Sequence, residues 1–180
     1  MSTLFDLSGK TALVTGASKG MGLSMATALA EHGANVVISS RKQDELDAAA
    51  AKINEVTGRD CAMGIASNIG DKTMVKDLIA QTKDKVGAVN VLIGNAGVNV
   101  HYGSTHEIPD EAYEKIMSAN VQSQLWLARE AHGQMVEQGG GSMMFTSSVG
   151  AFHASDAIGT YCVSKLALMG VIRNLAMENG

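Results

Sequence analysis

Short β-rich runs alternate with helical patterns along the whole chain, and this alternation constrains the fold more than any other feature. "TALVTGA" from Thr11, "NVVISS" from Asn35, "CAMGIAS" from Cys61, "VNVLIGNAG" from Val89 and "SMMFTSS" from Ser142 read as five strands. Between the first two, "GMGLSMATALAEHG" puts Leu23, Ala26, Leu29 and Ala30 on one helical face. Further helices are predicted from near Asp44, from Asp71 to about Val86, and from "IPDEAYEKIM", where Pro109 suits the first turn, onward through Gln138. A last helix runs from about Thr160 to the end. Strands joined by helical crossovers pair in parallel, and apolar strands need cover on both faces. The expectation is an α/β fold: a doubly wound parallel sheet in a single domain over residues 1–180, without repeats or interdomain linkers.

In such a sheet, the Rossmann arrangement, ligands bind beyond the carboxyl ends of the strands, where strand order reverses. The first such end reads "TGASKGMG", Thr15 to Gly22, in which Gly16, Gly20 and Gly22 let the backbone approach a pyrophosphate at a helix N-terminus. A tight strand-to-helix turn without a ligand is the plain alternative. The loop lacks the Gly-Lys-Ser/Thr ending of a P-loop, and its Gly-x-x-x-Gly-x-Gly spacing differs from Gly-x-Gly-x-x-Gly. At the second strand's end, where an acid would hold a free ribose 2′-hydroxyl, the chain has "SSRKQ". Arg41 offers a planar fork to a 2′-phosphate, Ser40 a hydroxyl, and Lys19 a second cation, which favours NADPH over NADH. Alternatively, Arg41 and Lys42 simply begin a solvated helix face.

Composition narrows the partners. The formal net charge of −4 comes from interspersed charges with no basic stripe, which argues against nucleic acid. Cys61 and Cys162 are too few for a disulfide framework, so a reducing cytoplasm is expected. No apolar run approaches the length of a membrane span, and "MSTLFDLSGK" lacks the cationic region of a signal peptide. His32, His101, His106, His132 and His153 show no metal-ligand spacing, so no metal is predicted. Met143, Met144 and Met169 read as core filler.

"YCVSK" places Tyr161 and Lys165 four positions apart, on one helical face. A phenol, with its reference pKa of about 10, exchanges a proton near neutrality only if a cation stabilises the phenolate. Lys165 could supply that field. A buried ring beside a snorkelling lysine has the same spacing, so context decides. That context is the fifth strand's end, where Ser147 or Ser148 could hold a substrate carbonyl.

"TGASKGMG", "GNAG" from Gly94 to Gly97, Asn120, "TSSVG" and "YCVSK" occur in the order and spacing of the short-chain dehydrogenase/reductase family, which the chain resembles over nearly its whole length. It is most similar there to NADPH-dependent carbonyl reductases. The resemblance implies a hydride transfer between NADPH and a ketone or aldehyde, or the corresponding alcohol. Tyr161 would be the general acid, or the base in reverse, and Ser148, thirteen positions earlier, would hydrogen-bond the substrate oxygen. Ser147 is left as a structural neighbour. Lys165 would stabilise the phenolate and touch the nicotinamide ribose, and Asn120 would hold a water linking Lys165 to solvent. The cofactor contacts implied are Gly16, Ser18, Lys19, Gly20, Met21 and Gly22 from the loop, then Ser40 and Arg41. Asn68, Ile69, Asn95, Ala96 and Gly97 follow, together with Tyr161 and Lys165. Asn68 stands where the family usually has aspartate, and Gly94 replaces the first Asn of Asn-Asn-Ala-Gly, a side chain that helps tie the central strands together. His101, Tyr102, Phe152 and His153 follow strand ends four and five and would border the substrate, whereas Cys162 faces another side of its helix and reads as inert.

Family members continue with a sixth strand, a substrate-covering loop and a further strand, so the resemblance implies a C-terminally truncated text whose fifth strand forms an exposed edge. A homo-oligomer, dimer or tetramer, is implied if the full fold exists. Two other readings stand beside the reductase: a nucleotide-binding remnant without turnover, and a non-enzymatic partner of intact relatives. A sugar-nucleotide epimerase or dehydratase would resemble a Gly-x-x-Gly-x-x-Gly loop instead.

Overall fold

The computed structural model describes residues 3–180 and contains all five strands: β1 (Thr11–Thr15), β2 (Asn35–Ser40), β3 (Ala62–Ala66), β4 (Val89–Gly94) and β5 (Ser142–Phe145). They pair in parallel in the order β3-β2-β1-β4-β5, so the chain reverses direction across the sheet between β1 and β4. The doubly wound α/β expectation holds, with the switch point between those two strands.

Alternation along the central strands explains why both faces are covered. Ala12, Val14, Val36 and Ile38 face α1 (Gly20–Glu31) and α2 (Gln43–Thr57), where Ala26, Ala30, Leu46 and Ile53 complete one buried cluster. Leu13, Val37 and Leu92 point the other way, against Val75 and Leu78 of α3 (Lys72–Lys85) and Leu127 and Ala131 of α5 (Ser123–Glu137). The helices start and stop for local reasons. Asp71 accepts hydrogen bonds from the Thr73 and Met74 N–H groups and caps α3, and Gly58, at φ 63°, ends α2. Pro109 lies one position before α4 (Asp110–Met117), at its N-cap rather than inside the first turn.

One irregularity was not expected from periodicity. The helical run from Asp110 to Glu137 is broken by a π turn at Ser118–Gln122, in which the Ser123 N–H donates to the Ser118 carbonyl. The extra residue carries Asn120 and Gln124 toward the end of β4.

β5 lies at the sheet's edge and is the least covered strand, with Met144 50% exposed. The last helix, α6 (Gly159–Asn179), packs on the π turn, on α4 and on a 3-10 turn at Val149–Ala151. A groove of about 960 Å³ runs between α5, β5 and the second half of α6, lined by residues such as Met135, Met143, Phe145 and Leu175. Among the described residues, no helix is long and apolar enough to cross a membrane.

Candidate active site

A cleft of about 740 Å³ opens at the carboxyl ends of β1, β2, β3 and β4, at the switch point. Its walls include Ser18, Lys19, Met21, Ser40 and Arg41 at one end, Asn68 and Ile69 beside them, and Asn95, Ala96 and Gly97 at the other. Gly16 and Gly22 form its floor, and a Cβ on Gly16, which sits at φ 64°, would come 2.8 Å from Ala96 Cα. The turn can pass β4 only as glycine. Gly20 is outside the cleft wall and faces open space, and Tyr161 and Lys165 also lie beyond it.

The cleft is held together from three strand ends. Thr15 Oγ1 accepts hydrogen bonds from the N–H groups of Asn95 (3.1 Å) and Ala96 (3.2 Å). Asn95 Nδ2 donates to the Thr15 and Gly16 carbonyls, both at 3.1 Å, and its Oδ1 accepts from Thr146 Oγ1 at 3.1 Å. Asn95 therefore lines the cleft but uses its amide as a brace across β1, β4 and β5.

The β2 end of the cleft carries Lys19 and Arg41, both exposed. Glu45 sits close by, accepting from Lys42 Nζ at 2.8 Å and from Ser18 Oγ at 3.5 Å, and the Lys42 bond holds its carboxyl below the usual range. Ser39 also lines the cleft; it is 1% exposed and its hydroxyl has no hydrogen-bond partner among the described residues. Asn68 Oδ1 accepts from the Gly70 N–H at 3.1 Å, which leaves its Nδ2 free to donate.

Past the inner end Lys165 lies near both Tyr161 and Asn120, and Ser148 caps the turn that follows β5. Lys165, only 4% exposed, donates from Nζ to the Thr146 carbonyl at 2.7 Å and lies 5.7 Å from the centre of the Tyr161 ring. Burial pushes its ammonium below its ordinary 10.5, and it has no carboxylate partner among the described residues. Asn120, fully buried in the π turn, donates from Nδ2 to the Val98 carbonyl and to Ser164 Oγ, both at 2.9 Å, and accepts from the Val98 N–H at 2.7 Å. Ser164 Oγ in turn donates a hydrogen bond to the Tyr161 carbonyl at 2.7 Å. Both amide hydrogens of Asn120 are thus engaged, and only a lone pair of Oδ1 remains for a water. Ser148 caps the 3-10 turn, its oxygen accepting from the Gly150 N–H at 3.1 Å, so its own proton is free to donate.

Gly97 connects the two halves: a Cβ there would sit 3.1 Å from Asn120 Oδ1 and 3.5 Å from Lys165 Nζ. Bare backbone at this position leaves the buried cation reachable from the cleft. The loops after β4 and β5 meet at a bridge between Gly103 and Ile158, the residue preceding α6, with the Gly103 N–H on the Ala157 carbonyl at 2.9 Å. Tyr102 and Phe152 on those loops are 77% and 68% exposed, and His101 Nε2 is engaged with the Ser104 carbonyl. Cys162 is buried.

Sequence reasoning did not find Ser39, nor Glu111, Glu114 and Lys115 of α4, which form part of the cleft wall. Ser39 adjoins the strand end already singled out. The α4 residues carried no signal, because nothing local says that this helix borders the cleft.

The family model described as "short chain dehydrogenase" matches residues 10–180. Dehydrogenase/reductase SDR family member 4 of Sus scrofa is 38% identical over 176 residues, covering 96% of this chain and 61% of that protein, and the Homo sapiens protein of the same name is 36% identical. The chain thus spans about three fifths of the length of the curated relatives it matches. Among solved structures, a short-chain type dehydrogenase/reductase from Mycobacterium marinum superposes with a TM-score of 0.91 at 32% identity, covering 97% of this chain and 69% of the other. L-sorbose reductase from Gluconobacter frateurii, complexed with NADPH and L-sorbose, superposes with a TM-score of 0.92 at 29% identity, covering 97% and 65%.

Proposed function

The chain belongs to the short-chain dehydrogenase family, and from that premise we propose an oxidoreductase that moves a hydride between NADPH and the carbonyl carbon of a small ketone or aldehyde. The observation that carries this reading is Lys165. A buried cation without a carboxylate partner is costly to keep. Here it stands one helical turn from Tyr161 and one glycine away from the cleft. A field in that place serves a phenolate.

The cleft's residues fit such a coenzyme. The turn at Gly16 leaves room for a pyrophosphate at the start of α1, the cations Lys19 and Arg41 suit a 2′-phosphate, and the Ser39 hydroxyl, unpartnered among the described residues, offers a further polar group. Bound NADPH would supply the hydride. Tyr161 gives its hydroxyl proton to the carbonyl oxygen, and in the reverse direction takes it back. Ser148 donates its free hydroxyl proton to the same oxygen, and Lys165 stabilises the phenolate left behind. Asn120 fixes the Val98 backbone and, through Ser164, the first turn of α6. Association with a second copy belongs to the same reading, supported by the exposed apolar Val163 and Leu166 on α6.

Tyr161→Phe tests the chemistry. The ring still packs, while the proton is gone, so kcat should fall by about 10²–10⁴-fold with NADPH binding retained in a fluorescence titration. Turnover within tenfold of the parent protein would remove Tyr161 from the acid role.

A further inference from the structure

Gly94 ends β4 without a side chain, yet the space beside it is full. A Cβ on Gly94 would overlap Gln124 Oε1 and approach Phe145 Cδ1 to 2.5 Å. Gln124, in the first turn of α5 and 1% exposed, therefore occupies the place that a side chain on β4 would take.

Its hydrogen bonds are lopsided. Nε2 donates to the Ala96 carbonyl at 3.0 Å and to Ser123 Oγ at 3.1 Å, with the Ala119 carbonyl at 3.5 Å, whereas Oε1 is buried with no partner among the described residues. Turning the amide over would set Oε1 against two carbonyl oxygens, so the orientation is determined by its neighbours. A leucine would fill similar space without burying an unmet acceptor. What glutamine adds is a grip on Ala96. Asn120 and Gln124 are four residues apart, across the π turn, and both hold the loop after β4: Gln124 the Ala96 carbonyl, Asn120 both backbone groups of Val98. Between those two anchors lies Gly97, the position that joins the cleft to Lys165.

We propose that Gln124 is a positioning residue for the coenzyme, setting the Ala96–Val98 backbone that forms the inner end of the cleft. This rests on the coenzyme reading given above. The two amides act as a clamp, and the π turn is the device that lets one helix reach both ends of a three-residue segment. Loss of the Gln124 grip frees the Ala96 carbonyl and lets the segment drift while the Tyr161–Lys165 pair, seated on α6, stays in place. The effect falls on coenzyme affinity.

Gln124→Leu should weaken NADPH binding about three- to tenfold, read by coenzyme fluorescence well below the unfolding temperature, with the carbonyl substrate's KM unchanged. Gln124→Glu supplies an independent readout. Its carboxyl can donate to the Ala96 carbonyl only when protonated, so NADPH affinity should fall as pH rises through that group's pKa, a dependence missing from the parent protein. If Gln124→Leu does not fold, Gly94→Ala carries the test, because its methyl group displaces Oε1 and should weaken NADPH similarly. NADPH affinity within twofold of the parent's in the folded variants, or a Gln124→Glu titration without pH dependence, overturns the proposal while leaving the cleft's assignment intact. A parent protein that binds neither NADPH nor NADH overturns both.

Discussion

The two ends of the sheet are built differently. At β1 and β2 every residue between Thr11 and Thr15, and Val36 to Ser39, is buried, with helices on both faces and backbone turns packed against one another. At β5 alternate residues are exposed, and the groups proposed to react hang from its end: Thr146 holds Lys165 through its carbonyl, Asn95 through its hydroxyl, and Ser148 caps the next turn. The first region is rigid because of volume filled, and the second is ordered by a few hydrogen bonds to a thinly covered strand. Damage to the first should therefore appear as lost stability, and damage to the second as lost chemistry in a protein that still folds.

Three substitutions probe that contrast. Leu13→Ala, in the centre of β1 and fully buried, should cost about 2–5 kcal/mol, whereas Met144→Ala on β5 should stay within about 0.5 kcal/mol. Equal losses in denaturant titrations would erase the distinction between the two ends. Arg41→Asp should exchange coenzyme preference. Losing a charged hydrogen bond to a 2′-phosphate is typically about 1.5–3 kcal/mol, so the ratio of kcat/KM for NADPH over NADH should drop at least tenfold. An unchanged ratio would mean that Arg41 merely decorates a solvated helix.

The smallest effect concerns Lys165 and pH. Burial lowers its native pKa below the 10.5 of an exposed lysine, so between those two values the unfolded chain binds more protons than the native one. Stability should accordingly rise with pH through that window and be flat, with respect to this group, below it. Lys165→Met should abolish the rise. A variant whose alkaline stability profile still matches the parent's would show that the ammonium is better solvated than its surroundings imply.

Much of this was legible in the chain. The five strands follow from short β-rich apolar runs bounded by turn residues, and the helices from a 3.6-residue period, both local properties. The glycine loop and the Tyr161–Lys165 pair are also local, since a turn and an i,i+4 spacing need nothing from elsewhere in the fold. Helix boundaries were less exact: Pro109 precedes α4 instead of entering it, and the π turn was read as part of one continuous helical run.

The remaining features depend on partners far apart in sequence. Asn95, implied as a ribose contact, lines the cleft, and its amide also bridges Gly16 and Thr146, 79 and 51 positions away. Gly94 read as a missing tie between strands, yet Gln124, thirty positions later, fills the space from another element. Whether a given amide binds a ligand or braces the scaffold depends on which strand ends the crossovers bring together, and those crossovers are set by packing both faces of the sheet at once. The identity of the groups proposed to react was therefore written locally. Their spacing across the cleft, the bare backbone at Gly97 beside a buried ammonium, and the two amides that hold it arise only when β1, β4, β5 and α5 meet.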